Sequence, residues 1–309
     1  MLKSKNKKKS ISYEKWGYYF IAPFFIIYAI FGLLPMISTI RYSFYEFYSE
    51  GLNTIGPNFN GLNNYVSVLT GDFFLALKNT AIIWVMGFVP QIIVSLLLAV
   101  WFTNNRLKLK GTAFFKSVIY MPNLVMAAAF SMIFFMLFGQ SGPIVTMLSS
   151  WGVIPEKFDF LGKVWESRSL MAIMNFLMWY GNTTILLMAG IMGIDQSLIE
   201  AAEVDGASSR QIFFRVTMPL LKPIFVYVVI TSLIGGIQLY DIPQIITNGT
   251  GSPNRQNITL MMYLQTLIKG SNNYGMAGAL SVLIFILTGT LSVFVFRSIS
   301  KNELVSVKR

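Results

Sequence analysis

The amino-acid sequence predicts an all-α integral membrane protein with six transmembrane helices. Hydrophobic residues make up 54% of the 309 positions and charged residues only 12%, a composition far too apolar for a soluble domain. Six strongly apolar stretches of 18 to 39 residues carry no charge, and about 20 apolar residues cross a bilayer as a helix. Most of the chain is therefore expected to lie in lipid.

The charge-free stretches define the predicted boundaries. They place a transmembrane domain at residues 16–309 with spans at about 16–40, 79–102, 116–138, 169–192, 222–243 and 275–297. The third stretch is longer than one crossing requires, and Gly139, Gly142 and Pro143 interrupt it. Its remainder is therefore expected on the outer surface. The basic N-terminus, residues 1–15, precedes a full-length span without a clear cleavage site, so we expect that span to be retained.

The distribution of basic residues predicts the orientation. With the N-terminus inside, 17 of the 24 lysine and arginine residues fall in inner segments. The positive-inside rule then places both termini and residues 193–219 in the cytoplasm. Because the net charge of +11 is concentrated at membrane edges, it indicates contact with an anionic lipid surface and not with nucleic acid.

A polar segment between the fourth and fifth spans is predicted to form two short helices. Ser197 stands three residues before Glu200, the spacing of a capping box, so a helix is expected to begin at Ser197. Asp205 and Gly206 follow, and glycine accepts the left-handed conformation that ends helices. These residues predict a helix that ends in a glycine elbow.

A second helix is predicted directly after the elbow. Ser208 and Gln211 repeat the capping spacing. Pro219 and Pro223 are expected to punctuate the far end of this helix. An interfacial amphipathic linker between two membrane helices is the plainer interpretation of the same pattern.

The segment resembles a known motif. Glu200-Ala201-Ala202, then Gly206 four positions later, and Val216-Thr217-Met218-Pro219 after nine more residues resemble the EAA loop of the permeases of bacterial ABC importers. Asp205-Gly206-Ala207 resembles the carbohydrate-uptake branch, of the maltose-permease type. The resemblance extends over roughly Pro23 to Phe296, and it departs from the family in the 247–253 loop.

The resemblance implies a fold, a location and partners. The fold would be that of a type I ABC importer permease in the bacterial cytoplasmic membrane, and residues 193–219 would form the coupling loop that contacts an ATPase subunit dimer. A second homologous permease and an extracytoplasmic solute-binding protein would complete the complex. ATP and Mg²⁺ would be bound by the ATPase subunits, so this chain itself would need no cofactor.

The chain contains few of the residues that usually carry out catalysis. Cysteine and histidine are absent, which removes the usual thiolate and imidazole nucleophiles, bases and metal ligands. No glycine-rich loop ending in Lys-Ser or Lys-Thr is present to cradle a nucleotide phosphate. The sequence therefore predicts no catalytic site, no metal site and no enzymatic activity.

Amides and aromatic residues within the spans are candidates for contacting a carbohydrate, because sugars present hydroxyl groups and apolar C–H faces. Asn175, Met178, Trp179 and Asn182 in the fourth span recur at spacings of three, four and seven, so they share one helical face. The family resemblance implies pocket positions for Asn123, Asn175, Met178, Trp179, Asn182, Gly236 and Leu239, and residue type and position in the fifth span add Gln238 and Tyr240 as candidates. Buried amides can equally bond between helices, and Gly235 is interpreted as a site of close helix packing.

The expected function is that of an oligosaccharide importer permease which forms half of a translocation pathway. Glycerol phosphate is the alternative substrate within the same class. A secondary carrier or channel that works without an ATPase is an alternative from another class, and a non-transporting membrane scaffold or receptor is a third. Transport of solute by the purified chain alone would favour the carrier or channel.

Overall fold

A computed structural model describes residues 14–104, 110–156 and 158–306. The basic run from Lys3 to Lys9 lies outside these residues. Within them, six helical stretches are long and apolar enough to cross a membrane: Lys15–Tyr42, Phe73–Thr103, Ala127–Ser150, Val164–Met192, Ser209–Ile246 and Tyr274–Ile299. The predicted all-α membrane fold with six spans is confirmed.

The helices vary widely in length. In chain order they are α1 (Glu14–Tyr28), α2 (Leu34–Tyr42), α3 (Asn63–Thr70), α4 (Phe73–Thr103), α5 (Thr112–Leu124), α6 (Ala127–Phe138), α7 (Pro143–Ser150), α8 (Val164–Met192), α9 (Gln196–Val204), α10 (Ser209–Ile212), α11 (Met218–Ile237), α12 (Asp241–Ile246), α13 (Leu260–Gln265) and α14 (Tyr274–Ser306). Among the described residues, three π-helical turns lie between these helices: Ala29–Leu33, Phe213–Thr217 and Thr266–Gly270.

The long helices α4 and α8 run parallel in close contact. A β-carbon at Gly87 of α4 would lie 2.9 Å from the Ala172 carbonyl oxygen of α8, so only glycine permits this approach. Farther along the pair, the Gln91 amide donates to the Thr183 hydroxyl at 2.8 Å. Polar groups are therefore paired where water is excluded.

The bundle has two distinct ends. We call the end that carries α9 and α10 the inner end and the opposite end, where α4 and α8 begin, the outer end. Three apolar clusters follow one another along the pair: one includes Phe73 and Leu260, the next Ile83 and Met174, and the third contains Ala99, Leu187 and Leu221. Buried apolar packing is therefore distributed along the whole length of the pair, in three separate clusters.

Two predicted spans are interrupted. Residues 116–138 form two helices, because the chain is extended at Val125 and Met126 between α5 and α6. Residues 222–243 are also divided, because α11 ends at Ile237 and α12 begins at Asp241. Each of these spans therefore contains a break that its charge-free stretch does not reveal. The predicted break near Gly139 is present, since α6 ends at Phe138.

A β-hairpin at the outer end was not predicted. Strands β1 (Tyr45–Glu50) and β2 (Asn53–Phe59) pair antiparallel. The Asn64 amide of α3 donates to the carbonyl oxygens of Ser43 at 3.0 Å and Tyr45 at 2.8 Å, which fixes the base of the hairpin. Its tip carries the fully exposed Leu52.

Single-cysteine labelling should reveal the orientation, because the native chain contains no cysteine. We expect Leu52→Cys at the hairpin tip to react with a membrane-impermeant maleimide in intact cells. Lys110→Cys, in the exposed turn before α5, should react only after permeabilisation. The reverse pattern would contradict the orientation inferred from the basic residues.

Candidate functional site

A cavity of about 250 Å³ lies within the bundle, lined by α4, α8 and α11. Its walls combine amides, hydroxyls, aromatic rings and aliphatic groups. The lining residues are Gln91, Asn175, Trp179, Asn182, Thr183, Leu186, Tyr227, Val228, Thr231, Ser232, Gly235 and Gly236. All of these side chains are uncharged.

Four of the nine predicted substrate-contacting residues meet at this cavity. Asn175, Trp179 and Asn182 lie on one face of α8, as their spacing predicts, and Gly236 faces them from α11. Asn175 is only 8% exposed, whereas Trp179 is 45% exposed. The shared face thus extends from the buried interior to the open side of the cavity.

The other five lie elsewhere. Met178 and Leu239 are buried in the apolar cluster with Ile83. Met178 lies at the edge of the α8 face, and Leu239 lies beyond the end of α11. The Asn123 amide donates to the Met178 carbonyl oxygen at 3.1 Å, which links α5 to α8. The remaining two, Gln238 and Tyr240, lie where α11 has already ended, and they do not line the cavity.

Sequence reasoning missed several lining residues on α4 and α11. Tyr227, Thr231 and Gly235 recur at intervals of four on α11, a spacing that places them on one helical face. Gln91 contributes an amide from α4, and its nitrogen is paired with Thr183. The regular polar stripe on an otherwise apolar helix was the signal that could have identified the α11 residues.

The adjacent glycines of α11 have different surroundings. A β-carbon at Gly236 would collide with the Trp84 indole ring, whereas one at Gly235 would meet nothing within 4 Å. The Trp84 indole nitrogen also donates to Ser232 at 3.2 Å. The interpretation of Gly235 as a close-packing glycine is therefore wrong, and Gly236 has that role because the large indole lies over it.

We call residues 193–219, at the inner end, the polar inner segment. Its first helix is capped two residues earlier than predicted. Helix α9 is capped by Asp195, whose carboxylate accepts a hydrogen bond from the Ser197 backbone nitrogen at 3.0 Å. The hydrogen bond from the Ser197 backbone nitrogen, and after it a hydrogen bond from the Ser197 side chain, holds the pKa of Asp195 below its ordinary value. Ser197 is thus not the cap, because aspartate at position 195 already satisfies the free backbone donor.

The elbow after α9 is a Schellman motif. Gly206 has φ +77°, the Ala207 nitrogen donates to the Ala202 carbonyl oxygen at 3.0 Å, and the Gly206 nitrogen donates to that of Glu203 at 3.0 Å. The predicted capping box at Ser208 and Gln211 then opens α10. The predicted order of helix, glycine elbow and second helix start is confirmed.

The two prolines after the elbow do not end a helix. A π-helical turn, Phe213–Thr217, leads directly from α10 into α11. Pro219 is the second residue of α11 and Pro223 lies inside it, so both belong to this uninterrupted helical run. The expectation that they close the second short helix is therefore wrong.

The predicted coupling residues lie on an exposed inner surface. Glu200, Ala201, Asp205 and Gly206 are exposed, while Ala202 and Ala207 are half-buried. Glu200 also lines a groove of about 470 Å³ between the segment and the inner ends of the long helices. The segment thus leaves Ala201, Asp205 and Gly206 exposed, while Glu200 borders the groove toward the long helices.

An apolar line runs along the same short helix. Leu198 is 47% exposed and Val204 is 88% exposed. Together with Ala201 they recur every three residues, so they share one side of α9. An exposed apolar line on a surface helix is typical of a contact with another protein.

The fold is that of the membrane subunit of an ABC importer. It matches a chain in the crystal structure of a bacterial ABC transporter involved in the import of the acidic polysaccharide alginate, with a TM-score of 0.76 and 20% identity, covering 93% of this chain and 96% of that chain. It also matches the alginate ABC transporter in complex with an alginate pentasaccharide-bound periplasmic protein, with a TM-score of 0.77 at 20% identity, covering 94% of this chain and 95% of that chain.

The chain belongs to the family of inner membrane components of binding-protein-dependent transport systems, whose model matches residues 80–302. A lactose transport system permease of Rhizobium radiobacter is 30% identical over 92% of this chain and 94% of its own length. An arabinooligosaccharides transport system permease of Bacillus subtilis is 30% identical over 89% of this chain and 86% of its own length. A multiple sugar-binding transport system permease of Streptococcus mutans is 30% identical over 93% of this chain and 96% of its own length.

Alanine substitution of the paired glycines should separate packing from open space. We expect Gly236→Ala to destabilise the protein by about 1–3 kcal/mol, because Trp84 must move. Gly235→Ala is the matched control, and it should leave stability unchanged or raise it by up to about 1 kcal/mol, since alanine favours the helix. Thermal unfolding in detergent measures both, and equal effects would contradict the packing of Trp84 on Gly236.

Proposed function

We propose that this chain forms half of the translocation pathway of an ATP-driven importer for an uncharged carbohydrate, in particular an oligosaccharide. The observation that carries the proposal is the uncharged cavity lined by amides and aromatic rings. Relatives named for the transport of lactose, arabinooligosaccharides and multiple sugars support it. The chain would work with a second homologous permease, two ATPase subunits and an extracytoplasmic solute-binding protein.

The cavity offers the groups that a sugar requires. Asn182 and Thr231 are half-buried or exposed polar side chains on facing helices, and amides and hydroxyls both donate to and accept from sugar hydroxyls. Trp179 and Tyr227 remain largely exposed, at 45% and 55%, so their ring faces are free to cover apolar sugar C–H groups. Each of these two walls therefore supplies both a hydrogen-bonding group and an aromatic ring.

The absence of charge in the lining selects among substrates. A phosphate or a uronate in a water-poor cavity is normally paired with arginine or lysine. None of the twelve described lining residues carries a charge. This lining disfavours glycerol phosphate, the alternative substrate of the same class.

The polar inner segment is proposed to couple the chain to an ATPase. Its exposed side chains, the apolar line of Leu198, Ala201 and Val204 and the closed glycine elbow support this role. The ATPase subunits would bind ATP and Mg²⁺, and this chain would be non-catalytic. Both termini would lie in the cytoplasm of a bacterial cell, on the same side as the segment.

Introducing a carboxylate into the cavity should impair uptake of uncharged sugar. We expect Asn182→Asp to lower uptake about tenfold, equal to about 1.4 kcal/mol, because the side chain loses both N–H donors and gains a charge. Uptake of radiolabelled neutral oligosaccharides and of glycerol 3-phosphate into proteoliposomes with the assembled complex measures the effect.

Asn248→Asp is the matched control for this substitution. Asn248 is exposed in a loop outside the cavity, so the same chemical change there should leave uptake within about twofold. Wild-type uptake by the Asn182 variant, or preferential uptake of the phosphate ester, would refute the neutral-sugar proposal. Uptake by the chain without any ATPase would favour a secondary carrier or channel.

The glycine elbow should be required for coupling. Alanine at Gly206 must adopt φ +77°, which costs about 1–2 kcal/mol for an L-residue, although no atom lies within 4 Å of the new β-carbon. We expect Gly206→Ala to reduce ATPase stimulation by the loaded binding protein several-fold, because the elbow reshapes.

Gly193→Ala provides the control for the elbow. Gly193 lies just before α9 with φ −80°, a value that alanine adopts readily, and a β-carbon there meets only ordinary contacts of 3.5 Å. This variant should stimulate ATP hydrolysis and transport as the wild type does. Normal stimulation in Gly206→Ala would show that the elbow does not transmit the ATPase movement.

A further inference from the structure

A guanidinium is buried at the outer end of α8. Arg168 is only 4% exposed, and among the described residues it forms no ion pair with a carboxylate. One terminal nitrogen donates to the Asn79 side-chain oxygen at 2.7 Å and to the Gln256 carbonyl oxygen at 2.5 Å. A buried charge is costly unless it is well paired, so these two neutral acceptors are structurally important.

Asn79 connects this charge to a loop. Its side-chain oxygen accepts from Arg168, and its amide nitrogen donates to the Ile258 carbonyl oxygen at 3.2 Å and to that of Arg255 at 3.4 Å. Asn79 is fully buried. One amide thus bridges α4, α8 and the segment between α12 and α13.

The neighbouring residues repeat the arrangement. The Asn257 amide donates to the Ser167 hydroxyl of α8 at 2.8 Å, and the Leu260 backbone nitrogen donates to the Thr80 hydroxyl of α4 at 3.0 Å. Consecutive residues on each long helix therefore hold the same loop. We name the set Asn79, Thr80, Ser167, Arg168 and Asn257 the outer clasp.

The loop held by the clasp has an unfavourable backbone. Three of its non-glycine residues, Asn248, Asn254 and Arg255, have φ of 48°, 51° and 57°. Such conformations persist where the surroundings impose them. Ile258 and Thr259 are nevertheless buried at 2% and 0% exposure, so the clasp fixes a strained segment against the bundle.

The loop also joins the helices that carry the cavity. The Thr259 hydroxyl donates to the Leu239 carbonyl oxygen at 2.9 Å, just beyond the end of α11. Leu239 in turn packs in the apolar cluster with Met178 of α8. Displacement of the loop would therefore reach α8 and α11, two of the three helices that line the cavity.

We propose that Arg168 is a positioning residue for transport: through the outer clasp it fastens residues 247–259 to α4 and α8, so that this end of the pathway moves as one body. The transport consequence rests on the proposed function. The attachment of residues 247–259 to α4 and α8 does not depend on the proposed function, and it is tested separately.

The test uses a buried cysteine reporter in the assembled complex. Ile258→Cys, 2% exposed in the native chain, should react slowly with a membrane-impermeant maleimide, and Leu52→Cys sets the rate of a fully exposed site. Adding Arg168→Met should raise the labelling rate at position 258 at least tenfold. Arg168→Lys should restore partial protection, because an ammonium also donates to both acceptors.

Arg255→Met is the matched control. Arg255 belongs to the same loop, but its side chain is half-exposed and paired with Asp72, so its loss should change labelling less than twofold. Leu187→Cys, fully buried near the inner end, distinguishes local release from general unfolding. It should stay protected in the Arg168 variant, and its exposure to the same degree as position 258 would overturn the proposal.

Asn79→Asp provides an independent arm if Arg168→Met does not assemble. The aspartate supplies a carboxylate to Arg168 while removing both donors to the loop, so labelling at position 258 should again rise. Continued protection there, or rapid labelling with the clasp intact, would overturn the proposal. Sugar uptake should fall at least tenfold in variants that release the loop; absence of sugar uptake in the wild type would instead count against the proposed function.

Discussion

The parallel contact between α4 and α8 is the feature on which the rest of the structure depends. Gly87 brings the two backbones together, and amide and hydroxyl pairs such as Gln91 with Thr183 satisfy the polar groups enclosed between them. Because water is lacking in the bilayer interior, each enclosed polar group requires a protein partner. The cavity opens beside this pair, and the outer clasp closes one end of it, so both features share a single rigid frame.

The same constraint explains where helices break. Between α11 and α12 the Leu239 carbonyl oxygen is freed from the helical pattern, and the Thr259 hydroxyl supplies a donor. Breaks inside a membrane bundle are tolerated where neighbouring side chains restore the lost pairing. The break after α11 therefore lies against another part of the protein and marks a position where two segments are held together.

Features set by local chemistry were predictable from the sequence, while those set by neighbouring helices were not. The number of spans follows from charge-free length, and the elbow at Gly206 follows from cap and glycine chemistry within a few residues. The spacing of Asn175 and Asn182 identified a shared helical face but not what it faces. Met178 shares that spacing, yet it is buried in an apolar cluster and does not line the cavity.

The π-helical turn Phe213–Thr217 between the inner segment and α11 has a consequence for the cavity wall. A π turn accommodates one residue more than an α turn, and each residue of an α-helix advances about 100° around the axis. The azimuth at which Tyr227, Thr231 and Gly235 face the cavity is therefore set ten or more residues upstream. Conversion of this turn to regular α-helix would rotate the whole stripe by about a quarter of a revolution, so the geometry of this one turn sets which side chains of α11 face the cavity.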